Sequence, residues 1–524
     1  MTGQNRVSSF VSIIRVLALR GLGVLMSLFT ASGLAYFFGA GPLLDAFFFV
    51  RRTFGSLTIL VESLLTLLLV PNYVKTAQET TPRDHLRRVG GLELRCFVFG
   101  LLIAILAIFF AENLVTYLAP GISEEAAEAA VFYFILMSLT LPITISTSVT
   151  AAALSAIRQF SLPVAVRLVP RLLILLAILL IPLGMGMTGI VVAAVVGHFV
   201  MGLVLWLSKR RLIGTLPDTR DQALTDKIES QQQPPDRAGS FIVLGAYSLI
   251  VVLSESYFAS FVGIGAIAIL GLGQRLSTMG TSELLGSLLS VYYTNFSEAA
   301  DNPSVFHAEM RAALRTGFFF ITPLSLLLIT LGDQVTQVVL ANGAFTADAA
   351  KSASALIVLF AIAGVANTFT SIFETALLAL HSGRKTRNFF IGGVIALALR
   401  ISFLALFIGQ LGLIAIGVAA VIGPVVFSFK NFFYIRTHVG NPINRDMLKD
   451  FGVIASAGAV LAIVALAFGA MLPSGGGKLA QIIVLVVTVG VSALAYVAAA
   501  AALGQDDAGK LTSKLLRGKR KAKS

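Results

Sequence analysis

Apolar segments of about twenty residues recur along the whole chain, and this feature restricts the fold more than any other. Each segment is long enough to cross a bilayer as an α-helix, which satisfies its own backbone hydrogen bonds in lipid. Only 12% of the residues are charged and 57% are hydrophobic, a composition that excludes a water-soluble fold. We predict an all-α polytopic membrane protein with about fourteen transmembrane helices. The predicted helices cover residues 10–38, 43–71, 96–118, 128–156, 162–183, 187–208, 240–262, 265–296, 312–338, 352–380, 388–408, 413–433, 450–472 and 479–503.

The N-terminus shares one feature with signal peptides, because Arg6 precedes an apolar run. Arg15 and Arg20 interrupt the first part of that run, and the residues from Gly21 to Phe38 then carry no charge. That uncharged stretch is long enough to span a bilayer, so we expect a retained first helix.

Basic residues are concentrated in alternate connections between the predicted helices. The formal net charge is +13, and the positive-inside rule accounts for it better than a nucleic-acid ligand does. We therefore expect these connections and both termini to lie in the cytoplasm. The basic connections contain Arg83, Arg87, Arg88, Arg158, Lys209, Arg210, Arg211, Arg220, Arg384, Lys385, Arg387, Arg436, Arg445 and Lys449.

Three short segments recur in the same order about 220 residues further along the chain, which indicates two homologous halves. The polar stretch between the halves contains QQQPPDR, a composition typical of a flexible linker. Two pseudo-repeated six-helix lobes plus two C-terminal helices are typical of a transporter that rocks about a central site. The predicted parts are 1–208 (first lobe), 209–239 (cytoplasmic linker), 240–433 (second lobe), 434–503 (last two helices) and 504–524 (basic tail).

Four charged side chains lie within the second predicted helix, where each costs about 2.5–3.5 kcal/mol if it faces lipid. They are Asp45, Arg51, Arg52 and Glu62. At 100° per residue all four fall within an arc of about 120°, which leaves the opposite face apolar. We expect this charged face to line a central cavity that accepts an anionic headgroup, because a guanidinium donates two parallel hydrogen bonds to phosphate.

Charges in other predicted helices extend this hypothesis. Arg275 and Glu283 lie in the eighth helix, the repeat partner of the second, and complete the predicted substrate-binding set. Glu255 is either a site for a coupling ion or proton, or the buried partner of a cation. The alternative for the arginines is that they form ion pairs between helices or extend to the cytoplasmic interface. The residues predicted near a cytoplasmic entrance are Arg15, Arg20, Arg167 and Arg171.

The sequence contains no Walker A motif, no H-E-x-x-H and no serine nucleophile elbow. Gly184 to Gly189 satisfies G-x-G-x-x-G, but without a surrounding βαβ unit it predicts a turn. One cysteine, Cys96, excludes an internal disulfide, and five scattered histidines predict no metal site. We therefore expect a transporter rather than an enzyme, with no cofactor and no metal.

The residues from Gly504 onward carry seven lysines and arginines. We expect this tail to bind anionic membrane lipids, at about 1 kcal/mol per basic residue, and not nucleic acid.

Four segments resemble motifs of the MurJ/MviN lipid II flippases, which belong to the multidrug/oligosaccharidyl-lipid/polysaccharide exporter superfamily. Residues 38–49 resemble the family's "FGAG…DAFF" segment, and residues 343–348 its "G-x-F-T" loop. Residues 274–276 resemble its "D-R-L", and residues 160–163 its "F-S-x-P". The resemblance is spread over most of the chain in consistent order.

The resemblance implies a flippase that moves an undecaprenyl-pyrophosphate-linked sugar from the inner to the outer leaflet of the bacterial cytoplasmic membrane by alternating access. It also implies a cationic cavity between the lobes and a lipid-tail groove formed by the last two helices. Asp45 and Arg275 match cavity positions of the family. Arg52 stands where the family has a lysine, and Glu62 lies near its glutamate in the second helix.

Two departures from the family pattern concern the cargo. The family motif "P-N-x-x-R-R" is replaced by residues 53–59, and the two arginines of its first helix fall near Val24 and Thr30. A flippase for another polyprenyl-linked oligosaccharide is therefore the alternative function. A drug or cation antiporter fits less well, since a cationic substrate favours an acidic cavity, and a non-transporting scaffold is the remaining alternative.

Overall fold

The structure is a computed structural model that describes residues 3–79, 81–156, 159, 161–215, 235–300, 302–380, 385–441, 444–471, 477–505 and 507–509. Within these residues the chain forms seventeen α-helices, one 3-10 turn at Ile181–Leu183 and no strand, so the predicted all-α fold is confirmed. The helices are α1 (Gly3–Phe38), α2 (Pro42–Glu79), α3 (Pro82–Phe109), α4 (Ala111–Leu118), α5 (Glu124–Ser138), α6 (Thr140–Ala156), α7 (Ser161–Val166), α8 (Leu168–Leu179), α9 (Met187–Thr215), α10 (Pro235–Ser260), α11 (Ala266–Glu298), α12 (Pro303–Val339), α13 (Ala347–Ala379), α14 (Lys385–Leu411), α15 (Leu413–His438), α16 (Arg445–Gly469) and α17 (Lys478–Ala502).

All fourteen predicted helices are present, and three of them are divided by a break. The breaks fall between α3 and α4, between α5 and α6, and between α7 and α8. Pro142 follows the second break and Pro170 the third. Proline lacks the N–H of the helical ladder and its ring clashes with the preceding turn, so it bends a helix just before its own position.

Several helix ends extend beyond the predicted bounds, and those of α3 and α9 are two of them. α3 begins at Pro82 rather than at residue 96, because the Oγ1 of Thr81 caps it by accepting a hydrogen bond from the N–H of Asp84 at 3.2 Å. α9 continues to Thr215 rather than ending at residue 208. The predicted bounds were wrong here because the apolar pattern marks only the membrane-spanning part of a helix. Arg83, Arg87, Arg88, Lys209, Arg210 and Arg211 therefore lie in helices and not in loops.

Apolar side chains cover the outside of the helices. Leu183, Phe109 and Leu479 are 82%, 78% and 72% exposed, respectively, a surface that suits lipid and not water. Among the described residues, twelve helical stretches are long and apolar enough to cross a membrane. The chain is thus a multi-pass membrane protein. α2 and α11 are not among the twelve, and they are the helices that carry the predicted substrate-binding charges.

The chain divides into two compact units, Met1–Ala268 and Ile269–Ser524. In the first unit α2 packs against α5, α6 and α10, α3 packs against α6, and α8 against α9. α10 belongs to this unit because it packs on α2, although it follows the predicted linker. In the second unit α13 packs against α12 and α15, α14 against α15, and α16 against α12 and α17. The two six-helix repeats stay a prediction.

Several predicted features lie outside the described residues. These are Arg158, Arg220, Arg384, residues 216–234 of the linker and the tail from residue 510 onward.

Gly197 of α9 provides a test of the packing between α9 and α8. A Cβ at this position would lie 2.6 Å from the Cα of Pro170, so the backbones would have to separate. We expect Gly197→Ala to lower the free energy of unfolding by about 1–3 kcal/mol, measured as thermal unfolding of the purified protein in detergent. Gly490→Ala in α17 is the control, since nothing lies within 4 Å of that Cβ, and it should leave the melting temperature unchanged or slightly higher. Equal melting temperatures for both variants would contradict the close approach.

Candidate functional site

Asp45 lies in the first turn of α2 and is 3% exposed. Its carboxylate oxygens accept hydrogen bonds from the backbone N–H groups of Gly265 at 2.6 Å and Ala268 at 2.7 Å. These two residues flank the start of α11, so Asp45 caps that helix from a distant part of the chain. Gly265 has a φ of +84° and packs against Ala40, where a side chain would collide. The carboxylate thus ties α2 to the start of α11.

Arg52 lies two turns further along α2 and pairs with Glu255 of α10. Its Nη2 donates a hydrogen bond to Oε2 of Glu255, and the two side chains are 9% and 2% exposed. In this conformation Glu255 is therefore the buried ion-pair partner of a cation, one of the two alternatives that the sequence leaves open. Its role in coupling stays a prediction.

Arg51, although adjacent to Arg52, has different surroundings. It lines a cavity of about 470 Å³ in the first unit, to which α2 and α5 to α9 contribute. Its guanidinium carbon lies 5.6 Å from the ring centre of Phe47. The Nη1 atom is buried and has no hydrogen-bond partner in the part of the chain that the structure describes. The cavity therefore contains a positively charged donor that can still take an acceptor.

Three more basic side chains line the same cavity: Arg167 at the break between α7 and α8, Arg171 of α8 and His198 of α9. The Nδ1 of His198 donates to the carbonyl oxygen of Ala194 at 2.8 Å, which leaves Nε2 for other contacts. The structure thus gathers Arg51, Arg167 and Arg171, which the sequence assigned to two different places. The entrance role of Arg167 and Arg171 stays a prediction.

A stripe of hydroxyl groups on α6 lines the cavity as well. Its members, at helical spacing on one face, are Thr140, Thr144, Thr147 and Ser148. The hydroxyls of Thr144 and Ser148 each donate to the carbonyl four residues earlier at 2.8 Å. Pro142 lies in the helix that bears this stripe. Pro170 lies in the α7–α8 segment, which bears the two arginines.

Two further predicted site residues, Arg275 and Arg20, are not among the described residues that line this cavity. Arg275 is half-buried in α11 and belongs to the second unit, and Arg20 is half-buried in α1. The predicted joint role of Arg275 with the arginines of α2 stays a prediction. Among the side chains that the structure describes, no group of three or more histidines, cysteines or acids could hold a metal ion. The side chains of Arg15, Glu62 and Glu283 lie outside the described residues, although their backbones are helical.

A second buried ion pair was missed by the sequence analysis. Lys209 of α9 donates to Oε2 of Glu93 in α3, and Thr150 of α6 donates to Oε1 of the same carboxylate. Glu93 precedes the predicted start of its helix at residue 96, and Lys209 follows the predicted end of its helix at residue 208. The available signal was weak, since only their positions at the ends of neighbouring apolar segments pointed to a contact.

The beginning of the predicted C-terminal tail is packed against α12. Asp507 accepts a hydrogen bond from Oγ1 of Thr316 at 3.2 Å, and its carboxylate lies 3.5 Å from Nε of Arg315. Ala508 is fully buried. The first residues of the 504–524 segment are therefore part of the folded second unit.

This architecture is similar to that of solved transporters. A lipid II flippase MurJ in an inward closed conformation matches with a TM-score of 0.66 and 16% identity, covering 92% of this chain and 98% of that one. An inward-facing multidrug resistance MATE family transporter of the MOP superfamily matches with a TM-score of 0.61 and 16% identity, covering 81% and 98%. The fold is thus that of MurJ and MATE-type multi-pass transporters.

Sequence comparison identifies the family within this class. The family model described as lipid II flippase MurJ matches residues 34–474. The "Probable lipid II flippase MurJ" of Aquifex aeolicus (strain VF5) is 22% identical over 366 residues, which are 67% of this chain and 69% of that protein. The chain belongs to the MurJ lipid II flippase family.

The pair between Arg52 and Glu255 provides a test of the tie between α2 and α10. Removing one partner of a buried pair leaves an uncompensated charge, so we expect Glu255→Ala to lower the free energy of unfolding by roughly 3–5 kcal/mol. The double variant Arg52→Met, Glu255→Leu should recover most of this loss, since an apolar contact replaces the pair. Thermal unfolding in detergent measures both.

Lys449→Ala is the matched control for these variants. Lys449 pairs with Asp446 at 3.7 Å, but the two side chains are 79% and 81% exposed, so no change is expected. A double variant as unstable as Glu255→Ala would show that the pair does not carry the effect.

Proposed function

We propose that this protein is a lipid II flippase, which carries an undecaprenyl-pyrophosphate-linked sugar from the inner to the outer leaflet of the bacterial cytoplasmic membrane by alternating access. The observation that carries the proposal is the family match over residues 34–474. The role is that of a transporter and not of an enzyme. The concentration of basic residues at alternate ends of the apolar segments supports an orientation with both termini in the cytoplasm.

The proposed contacts to the pyrophosphate come from charges on α2 and α11. Among the described residues neither helix contains a stretch that is both long and apolar enough to be a candidate membrane span, which fits a role in lining an aqueous path. We infer that Arg52 exchanges its partner Glu255 for the pyrophosphate during transport, since a guanidinium binds a carboxylate and a phosphate by the same pair of hydrogen bonds. The proposed substrate-binding set is Asp45, Arg51, Arg52, Glu62, Arg275 and Glu283.

Partner exchange at Arg52 explains why a buried pair suits a transporter. The pair neutralises the charge when no substrate is bound, and Glu255 becomes available for a proton or cation when the substrate takes its place. The basic tail from residue 510 onward is proposed to bind anionic lipids on the cytoplasmic side.

A second cargo is favoured by one observation. Val24 and Thr30 stand near the positions of two arginines in the family's first helix. A site with fewer cations fits a polyprenyl-linked sugar that differs from lipid II in its headgroup, such as a precursor of an exopolysaccharide. A cationic drug fits poorly, because arginines repel it.

Replacement of a host's own lipid II flippase tests the proposal. In a bacterium depleted of that flippase, expression of this chain should restore growth and lower the amount of lipid II in the inner leaflet, as measured by headgroup accessibility in spheroplasts. Lysis with lipid II accumulation despite normal membrane insertion would contradict lipid II as the cargo. Restoration of capsule or exopolysaccharide in a strain that lacks the corresponding exporter would then identify the other lipid-linked glycan.

Arginine variants test the proposed contacts in the same assay. We expect Arg52→Ala and Arg275→Ala each to abolish complementation while inserting normally, because each removes a bidentate partner of the pyrophosphate. The double variant Arg52→Met, Glu255→Leu, which leaves no unpaired buried charge, should also fail to complement and so separates the lost contact from lost stability. Lys449→Ala is the control with an exposed charge. Full flipping by both arginine variants would exclude them from the transport path.

A further inference from the structure

The second unit contains a polar cluster between α14 and α15 that the proposed transport path does not use. Nζ of Lys430 on α15 donates to the backbone carbonyl oxygen of Asn388 on α14 at 2.9 Å and to its Oδ1 at 2.8 Å. Nδ2 of Asn388 donates in turn to Oδ1 of Asn431 at 3.0 Å. Asn431 is fully buried, so it fixes the amide of Asn388, whose oxygen holds the ammonium group. The positive charge of Lys430 is therefore kept in one position.

The charge on Lys430 has no acidic counterpart on the two helices of the cluster, since neither α14 nor α15 contains an aspartate or a glutamate. Among the residues that the structure describes, Lys430 forms no ion pair, and none joins it to Glu374 of the adjacent helix α13. An ammonium group has three N–H donors, so the two hydrogen bonds to Asn388 leave one donor. A charge within a membrane helix is costly without a partner. Lys430 can therefore still bind an anion.

The side chain of Lys430 crosses α14 at a glycine. A Cβ at Gly392 would lie 3.2 Å from Cδ of Lys430 and 3.2 Å from Cε1 of Phe427, so any side chain there would narrow the space for the lysine. Lys430 itself is half-buried. The packing thus holds the aliphatic part of the side chain and leaves the residue accessible from the surface of the helix pair.

The outer surfaces of α14 and α15 each combine an exposed apolar stripe with an exposed arginine. The members of each stripe are three or four residues apart, so they lie on one face of the helix. Both arginines lie at the same end of the helix pair, near the start of α14 and the end of α15, which the positive-inside rule places in the cytoplasm. The exposed residues are Arg387, Phe390 and Val394 on α14, and Phe429, Phe433 and Arg436 on α15.

This arrangement selects the chemical class of the ligand. The ammonium of Lys430 needs an anion, and the apolar stripes below the arginines suit acyl chains. We propose that the end of the α14–α15 pair that bears Arg387 and Arg436 is a binding site for an anionic glycerophospholipid of the inner leaflet. The phosphodiester accepts the remaining N–H of Lys430, and the two arginines add attraction for the headgroup. The proposal goes beyond lipid II flipping and does not depend on it.

Lipid binding to the purified full-length chain tests the proposal. After removal of lipid in a neutral detergent, phosphatidylglycerol should raise the melting temperature in a saturable manner, because it binds the folded state. Phosphatidylcholine with the same acyl chains carries no net charge and should have little effect. No rise with phosphatidylglycerol, or an equal rise with phosphatidylcholine, would overturn the proposal. Glycerol 3-phosphate supplies the anion without acyl chains, and an equal rise at the same concentration would exclude a lipid as the occupant.

Variants of Lys430 locate the effect. We expect Lys430→Met to raise the phosphatidylglycerol concentration for half-maximal stabilisation by roughly tenfold or more, the effect of one lost hydrogen bond to a charged group. Lys430→Arg keeps the charge and should retain more of the affinity. Lys449→Met is the control, since that side chain is 79% exposed on α16. If Lys430 only ties α14 to α15, Lys430→Met would lower the melting temperature and leave the lipid dependence unchanged, which would overturn the assignment.

The exposed arginines provide a second test that does not disturb the packing. The double variant Arg387→Met, Arg436→Met should raise the same lipid concentration by roughly fivefold per arginine, from the attraction of each basic residue to an anionic lipid. This variant also serves if Lys430→Met does not fold, and unchanged affinity in it would overturn the proposal. The basic C-terminal tail is the same in all variants, so it does not account for a difference between them. Because the readout is phospholipid binding, failure of this test leaves the complementation test of flipping unaffected, and the reverse also holds.

Discussion

A guanidinium within a membrane helix needs polar surroundings, and two adjacent arginines of α2 obtain them in different ways. Arg51 and Arg52 are separated by about 100° around α2, and the structure gives them different surroundings. Arg52 is neutralised by a carboxylate from α10, whereas Arg51 lies in a cavity lined by hydroxyls and further cations. The proline-bent helices of the first unit line that cavity. Gly23 of α1 has no side chain, which leaves space for the guanidinium of Arg171.

Two of the contacts that hold α2 are polar and involve residues of the proposed substrate-binding set. Asp45 caps the start of α11 and Arg52 pairs with α10, so two carboxylates fix α2 relative to segments that follow it in the first unit by more than two hundred residues of chain. A buried ion pair adds little net stability compared with an apolar contact, because the loss of hydration of the two charges offsets their attraction, and it is costly to break only when one charge is left without a partner. Such ties can break and form again, which a tightly packed apolar contact does not do at low cost. A transporter that changes conformation around bound substrate benefits from this difference.

The evidence for the fold and the evidence for the transported substrate come from different features of the chain. The scaffold is similar to that of a lipid II flippase and to that of a multidrug resistance transporter, so this fold alone specifies no cargo. The family match narrows the choice to lipid-linked sugars, and the arginines favour a phosphorylated headgroup over a cationic drug. Val24 and Thr30 are uncharged where the family resemblance implies arginines, and this difference is the reason for proposing another lipid-linked glycan as the alternative cargo.

The sequence predicts the helices and the charges on them, because bilayer thickness and hydropathy act over a single segment. It also fixed which charges share a face of α2, since helical spacing sets that angle. Which helix each face contacts depends on the tertiary structure. Glu255 is 203 residues from Arg52 in the chain, and Lys209 is 116 residues from Glu93, yet both pairs are in contact. Periodicity along one helix contains no information about its neighbour. The polar ends of α3 and α9 were missed for a related reason, since capping and ion pairing extend a helix beyond the apolar segment that marks it.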